Sequence, residues 1–207
     1  MNNLKKLSKL GNYKIGKDTI IFNMSSANNC PSDKKGYCKN SKICYAKKAE
    51  RMYPSVLPYR EKQANYWANI SPNNFVKDLL SSYQNKINKG EIKYLRFNES
   101  GDMANQADLI KLNYIANILE LYDIKVYIYT ANIYLNFDLV SNNLAINLSN
   151  VNRDNFIFEE FTFNTFTAIN KGTFVKKSKK DKLCIADCSK CNLCKSNKGL
   201  NIFVIKH

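Results

Sequence analysis

Histidine is almost missing from this chain of 207 residues, and the single one, His207, is the last residue. Imidazole acid–base catalysis and histidine-rich metal sites are therefore nearly excluded. Glycine (7) and proline (4) are scarce, and there is neither an internal repeat nor a low-complexity tract. Apolar runs stay well short of the roughly 18 residues that a membrane-spanning helix needs. The opening Met1-Asn2-Asn3-Leu4-Lys5-Lys6 leads into no apolar signal segment, so the expected location is the cytoplasm. Acidic residues are also few: 17 Asp and Glu stand against 32 Lys and Arg, a net charge of +15. An excess of that size favours polyanions, nucleic acid before an anionic membrane surface. The Lys-, Asn- and Ile-rich composition resembles that of an AT-rich genome, but such a bias raises Glu as well as Lys.

What the chain does have is cysteine, seven in two groups. In a reducing compartment, an odd count points to metal or catalysis rather than to a disulfide framework. Cys184, Cys188, Cys191 and Cys194 follow C-x3-C-x2-C-x2-C. Structural zinc usually uses two C-x2-C knuckles separated by a longer loop. Gaps this short suit an iron–sulfur cluster of the four-iron type better, with zinc and free thiols as the alternatives. Cys184, Cys188 and Cys191 also have the spacing of the radical-SAM triad, although they lie near the C-terminus rather than after a first barrel strand. Cys30, Cys38 and Cys44 are spaced C-x7-C-x5-C. They could hold a metal with an open position, donate to the C-terminal cluster, or be buried structural thiols.

With 44% apolar residues the chain can build one core. The expectation is a single α/β domain over 1–207, with a basic, weakly ordered start at 1–13 and a cysteine-rich metal-binding tail at 183–207. Strands are expected at 18–22, 92–97, 125–129, 144–148 and 201–205, with one or two more within 153–170. That last region is aromatic (Phe156, Phe158, Phe161, Phe163, Phe166). Helices are expected at 44–52, 59–70, 71–89 and 105–121. Ser71 and Pro72 start the third of these and Gly90 ends it. One helical turn is expected at 137–140 and a basic linker at 176–182. Strand, helix, strand with short links implies an open, mostly parallel sheet or a partial barrel with flanking helices.

Parallel sheets carry their sites beyond the carboxyl ends of their strands. Those ends offer Asn98, Glu99, Ser100, Gly101 and Asp102 after one strand, and Thr130 and Asn132 after the next. Glu99 and Asp102 are the candidate acid–base residues, and the others are pocket residues. An alternative reading makes this stretch a turn in which Asp caps the next helix. Lys47, Lys48, Arg51, Arg60 and Arg96 are candidates for phosphate contact. The lysines at 176–182 offer the tail a similar role.

Asn29-Cys30-Pro31, Cys38, Cys44-Tyr45-Ala46-Lys47-Lys48, Tyr53-Pro54-Ser55-Val56 and Arg60 together resemble the opening motif of the phage gene-product-88 family. Arg96 to Asp102, Tyr127 to Thr130 and the C-terminal cysteines, closing on Ile202-Phe203-Val204, are similar to the later motifs of that family. The resemblance implies a protein of phages and other mobile elements, working in a bacterial host cell. The Cys-Tyr-Ala element also looks like phage proteins that resemble radical-SAM enzymes. That likeness implies a partial barrel, a cluster on Cys30, Cys38 and Cys44 at its N-terminal end, and SAM as a further cofactor. The gaps of seven and five differ from the three and two of the radical-SAM triad, and no glycine-rich SAM-binding stretch is evident. Three functions follow as expectations: an iron–sulfur enzyme acting on nucleic acid or nucleotides; a non-catalytic nucleic-acid-binding protein with a structural zinc or iron–sulfur site; and an accessory protein that binds a host protein.

Overall fold

The computed structural model describes residues 4–138, 140–150 and 162–206. Its elements are β1 (Lys9–Leu10), β2 (Thr19–Phe22), α1 (Pro31–Lys34), α2 (Tyr45–Met52), α3 (Val56–Asn69), α4 (Pro72–Asn88), β3 (Tyr94–Phe97), α5 (Gln106–Glu120), β4 (Lys125–Thr130), β5 (Leu144–Ser149), β6 (Asn164–Ile169), β7 (Asp181–Leu183) and β8 (Asn201–Ile205). The described strands form one open sheet in the order β1-β2-β3-β4-β5-β6-β8-β7. Only β1 runs antiparallel to its neighbour.

From β2 to β6 each strand lies beside its predecessor in the chain. Right-handed crossovers in that order put every connecting helix on the same face. Strand alternation then divides the residues between the faces. Ile20, Phe22, Leu95, Phe97, Val126, Ile128, Ile146 and Leu148 meet the helices in one core with Phe75, Leu79, Leu112, Ile115 and Leu119. Around Phe22 this core is aromatic. The rings of Tyr66, Trp67, Phe75 and Phe97 lie 5.1–6.3 Å from it, mostly edge to face. The opposite face presents Tyr94, Arg96, Tyr127, Tyr129 and Asn147; α3, α4 and α5 lie on the other side, and what packs here against β4 and β5 is the short 3-10 helix Leu193–Lys195.

Several local starts and stops follow from the residues themselves. Ser71 accepts a hydrogen bond from the Asn74 amide with Pro72 next to it, and Gly90, at φ 66°, ends α4. Asn105, not Asp102, caps α5, through the Asp108 amide. α3 begins at Val56, three residues before the expected start, because Pro58 falls in its first turn, where no N–H is needed. The described part of the start, from Leu4 on, is tied down rather than loose. Leu4 is fully buried in the core, Ser8 bonds the Tyr83 hydroxyl at 2.7 Å, and β1 pairs with β2. The linker at 176–182 contains part of β7. At 137–140 there is a turn closed by Val140 N–H on the Phe137 carbonyl, not a described helix, and Leu139 lies outside the described residues. Phe156, Phe158, Phe161 and His207 lie outside them too. Among the described helices none is long and apolar enough to cross a membrane.

Candidate functional site

The loops that leave β2, β3 and β4 at their carboxyl ends are laced together by buried polar side chains. Asn23 accepts from the Ser100 amide at 2.8 Å and donates to Gln63 on α3. Asn98, at φ 61°, accepts from the Met24 amide at 3.0 Å. Gly101 sits at φ 78°, and a Cβ there would lie 2.1 Å from Ser25 Oγ, so only glycine fits.

Asp102 lies at the centre of this lacing. Its Oδ2 accepts from Ser32 Oγ at 2.7 Å and from the Ala131 amide at 2.8 Å, and its Oδ1 accepts from the Met103 amide at 2.8 Å. Burial pushes its carboxyl up, and the hydrogen bonds from Thr130, Ser32, Ala131 and Met103 oppose that rise. Asn132 bonds Thr130 Oγ1 through its amide and the Met103 carbonyl through its side chain. The pocket residues expected from the sequence are thus gathered, largely buried, around one carboxylate. Glu99 stands differently: it pairs with Lys9 at 2.6 Å, and its side chain keeps 15% exposure.

The first three cysteines hang from these loops. Cys30 is the residue before α1 and Cys44 the residue before α2, and neither side chain caps its helix. The trio therefore follows the carboxyl end of β2, the first parallel strand. Burial pushes the Cys30 thiol up to about 12; the amides of Asp33 and Ser32 oppose this, while Asp102 and Cys38 add to it. Cys38 is raised by burial first, then by Cys44, Asp33 and Asp102, against the Asn40 amide. Cys30 and Cys38 are thus both pushed toward the thiol form, which a metal would have to deprotonate on binding.

Glu50 supports the same loops from α2. Its carboxylate accepts from the amides of Ala27 (2.7 Å) and Asn28 (3.0 Å) and pairs with Arg60 at 2.9 Å. Arg60 also donates to the Ala46 carbonyl and is buried. It is thus committed to the interior, which corrects its assignment to phosphate. Lys47 is held by Asp33 at 2.6 Å, whereas Lys48 and Arg51 are exposed on α2.

The four later cysteines belong to the segment that covers the sheet face opposite α3, α4 and α5. Asn147 donates to the Cys194 carbonyl at 2.9 Å. Its neighbour Asn164 donates to the carbonyls of Leu193 (3.3 Å) and Ser196 (2.8 Å). Lys195 sits 3.9 Å from the centre of the Tyr94 ring and donates to the Cys188 carbonyl. All four thiols are free and partly buried. Burial pushes Cys194 up to about 12; the Tyr129 hydroxyl opposes this, while Cys184, Cys188 and Cys191 add to it. Cys188 is raised by burial first, against Arg96 and Lys195.

The thiols are neighbours but are not closed into a coordination shell. Among the described residues no group of three or more His, Cys, Asp or Glu side chains is arranged to hold a metal ion. The donor sets nonetheless suit one. Three thiols and four thiols, none in a disulfide and each group in mutual electrostatic reach, are the ligand types that zinc and iron–sulfur clusters take. A cleft of about 720 Å³ lies elsewhere, lined by Lys5, Lys9, Tyr83 and Lys86 among others, and it holds neither a cysteine nor a carboxylate.

Glu50, Asn147, Asn164, Tyr127 and Tyr129 were not assigned roles from the sequence. A polar side chain inside the apolar run Leu144-Ala145-Ile146-Asn147-Leu148 is the signal that marks Asn147. Glu50 carries no such mark, since it reads as an ordinary polar position of a short helix.

The model of the gene product 88 family matches residues 1–160. The matched span contains Cys30, Cys38, Cys44 and Asp102 and stops before the C-terminal cysteines. No curated protein and no solved structure matches the chain.

Proposed function

The chain belongs to the gene product 88 family, a phage gene-product family, and from that premise we propose that it is a metal-cluster protein acting on nucleic acid or nucleotides. Cys184, Cys188, Cys191 and Cys194 would hold a four-iron cluster, and Cys30, Cys38 and Cys44 a second centre with one open position. When bound, such a cluster supplies electrons or a Lewis-acid site. The observation that carries this reading is the grouping of all seven free thiols into two sets, one over the strand tips and one on the sheet face opposite α3, α4 and α5.

The surrounding residues divide the remaining work. Asp102 is saturated with hydrogen bonds and positions the loops. Glu99, partly exposed, is the carboxylate left for proton transfer. Exposed Lys35, Lys39, Lys42, Lys48 and Arg51 stand in and just after the stretch that carries the first three cysteines and would take phosphate. Anaerobic purification followed by iron, sulfide and zinc analysis tests the proposal. Brown protein with acid-labile sulfide supports it, and SAM cleavage after reduction would assign radical chemistry. Metal-free protein whose seven thiols all react at once would end it.

A second reading rests on the way Asn147 and Asn164 clamp the cysteine segment to the sheet. In that reading the C-terminal metal is zinc and only holds this layer in place, and the protein binds nucleic acid without turnover. One zinc per chain with no sulfide, together with a steep loss of DNA or RNA affinity as salt rises, would favour it.

A further inference from the structure

Arg96 occupies an unusual place. It is the third residue of β3, on the sheet face opposite α3, α4 and α5, among Tyr45, Tyr127 and Tyr129. Its guanidinium carbon lies 5.0 Å from the centre of the Tyr129 ring. Its Nε is buried and has no hydrogen-bond partner. Among the described residues it makes no ion pair; Glu99, the acid it feels electrostatically, pairs with Lys9. A guanidinium keeps its charge under all ordinary conditions. Desolvating part of one without an anion is costly, and an orphaned buried donor asks for a partner.

The missing anion can be found by following the tyrosine. Tyr129, over which Arg96 lies, is in electrostatic reach of Cys194, whose carbonyl is held on the same face by Asn147. Arg96 also acts electrostatically on Cys188, and so does Lys195, anchored on Tyr94. Two cations thus converge on one side of the four-cysteine group. Among the described residues neither cation has an ion-pair partner. Once four thiolates surround a metal, the centre carries net negative charge and the two cations become its counter-ions.

We propose that Arg96 is the counter-charge of the C-terminal thiolate centre, a positioning residue whose guanidinium, with its Nε buried and unpartnered, is paired only when metal is bound there. This rests on the metal-binding reading above and adds to it a residue that touches no metal. It also predicts opposite effects of one substitution in two states. Removing the charge relieves the metal-free protein and weakens the loaded one.

The test uses the full chain stripped by chelator and reloaded with zinc, as wild type, Arg96→Met and Arg96→Lys. A Cys188→Ser/Cys191→Ser variant identifies, by its loss, the phase of metal release that belongs to the C-terminal centre. The expected result is a metal-free Arg96→Met protein that melts at or above the metal-free wild type. Loaded, it should release zinc in that phase about tenfold faster or more, with Arg96→Lys close to wild type. Two results overturn the proposal: wild-type release from Arg96→Met, or an equal fall in melting temperature with and without zinc, which marks a merely structural residue. A third also overturns it: Arg96-dependent stabilisation by inorganic phosphate with zinc release unchanged, since the missing anion would then be a ligand. If the wild type takes up no zinc in the phase that Cys188→Ser/Cys191→Ser abolishes, the metal-binding reading itself fails, which is a different outcome.

Discussion

Asp102 at the tip of β3 accepts a 2.7 Å hydrogen bond from Ser32, two residues beyond Cys30, and a 2.8 Å bond from Ala131 on the same oxygen. One carboxylate therefore joins the cysteine loop, the β3 tip and the β4 tip. Replacing it with Asn puts an NH2 group against Ala131 N–H in one orientation and against Met103 N–H in the other. Each orientation leaves a buried donor unpaired, at a cost of about 1–3 kcal/mol. Asp102→Asn should lower the melting temperature and reduce metal held by Cys30, Cys38 and Cys44 more than metal held by the C-terminal four. Metal analysis in a Cys188→Ser/Cys191→Ser background isolates the first centre. Unchanged retention there would contradict the bracing role.

Glu50 and Arg60 form a buried pair at 2.9 Å, and the Glu50 carboxylate also receives two loop amides. Removing either partner alone leaves the other charged, buried and unmatched, so Glu50→Gln and Arg60→Met should each cost about 3–5 kcal/mol. The double variant should cost clearly less than the sum, because no stranded charge remains. Denaturant unfolding of the four proteins measures the coupling. Strict additivity would mean that the pair is not coupled.

The two thiol groups should load independently. Cys188→Ser/Cys191→Ser is expected to lose one class of bound metal and Cys38→Ser/Cys44→Ser the other, with each loss unaffected by the other substitution. Chelation should lower the wild-type melting temperature, because metal that binds the folded chain stabilises it by mass action. Quantifying metal per chain and melting temperature across the three proteins checks this. Simultaneous loss of all metal from either double variant would point to one shared site.

The alternation of strands and helices was legible because Leu109, Leu112, Ile115, Ala116 and Leu119 keep helical spacing, and because Ser71-Pro72 and Gly90 punctuate α4 where the backbone needs them. The strand tips were legible as well, since any parallel sheet gathers polar loops there. Three things were hidden. Leu4 looked like an isolated apolar residue among lysines; only the tertiary core shows that it anchors β1. β7 is three residues long inside a basic stretch, too short for any periodicity to register. Arg60 looked available for phosphate because its partner Glu50 lies on another helix. The cysteine spacing announced two groups of donors, but the anchoring of the second on Asn147 and Asn164 depends on strands distant in sequence.

Asp181 offers a pH test at the far edge of the sheet. Its carboxylate accepts from Asn201 Nδ2 at 2.8 Å, from the amides of Lys177 and Ser178 at 2.9 Å each, and from Ser178 Oγ at 3.0 Å. Asn201 first, helped by those amides and that hydroxyl, holds the group down at about 2 against the opposing effect of burial. An unfolded aspartate titrates near 3.9. The folded value is the lower of the two, so the stabilisation is fully present above about pH 4 and drains away as the pH falls through about 2. Asp181→Ala should therefore cost about 1–2 kcal/mol at neutral pH, and wild type and variant should converge in acid. Asp181 braces the turn that leads through β7 to Cys184, so the same variant should fray the entry to the second thiol group and speed alkylation of Cys184. Melting curves from neutral pH down to about 2, with thiol reactivity measured at neutral pH, decide the point. A stability difference that persists undiminished in acid would show that the carboxylate's charge is not what holds this edge.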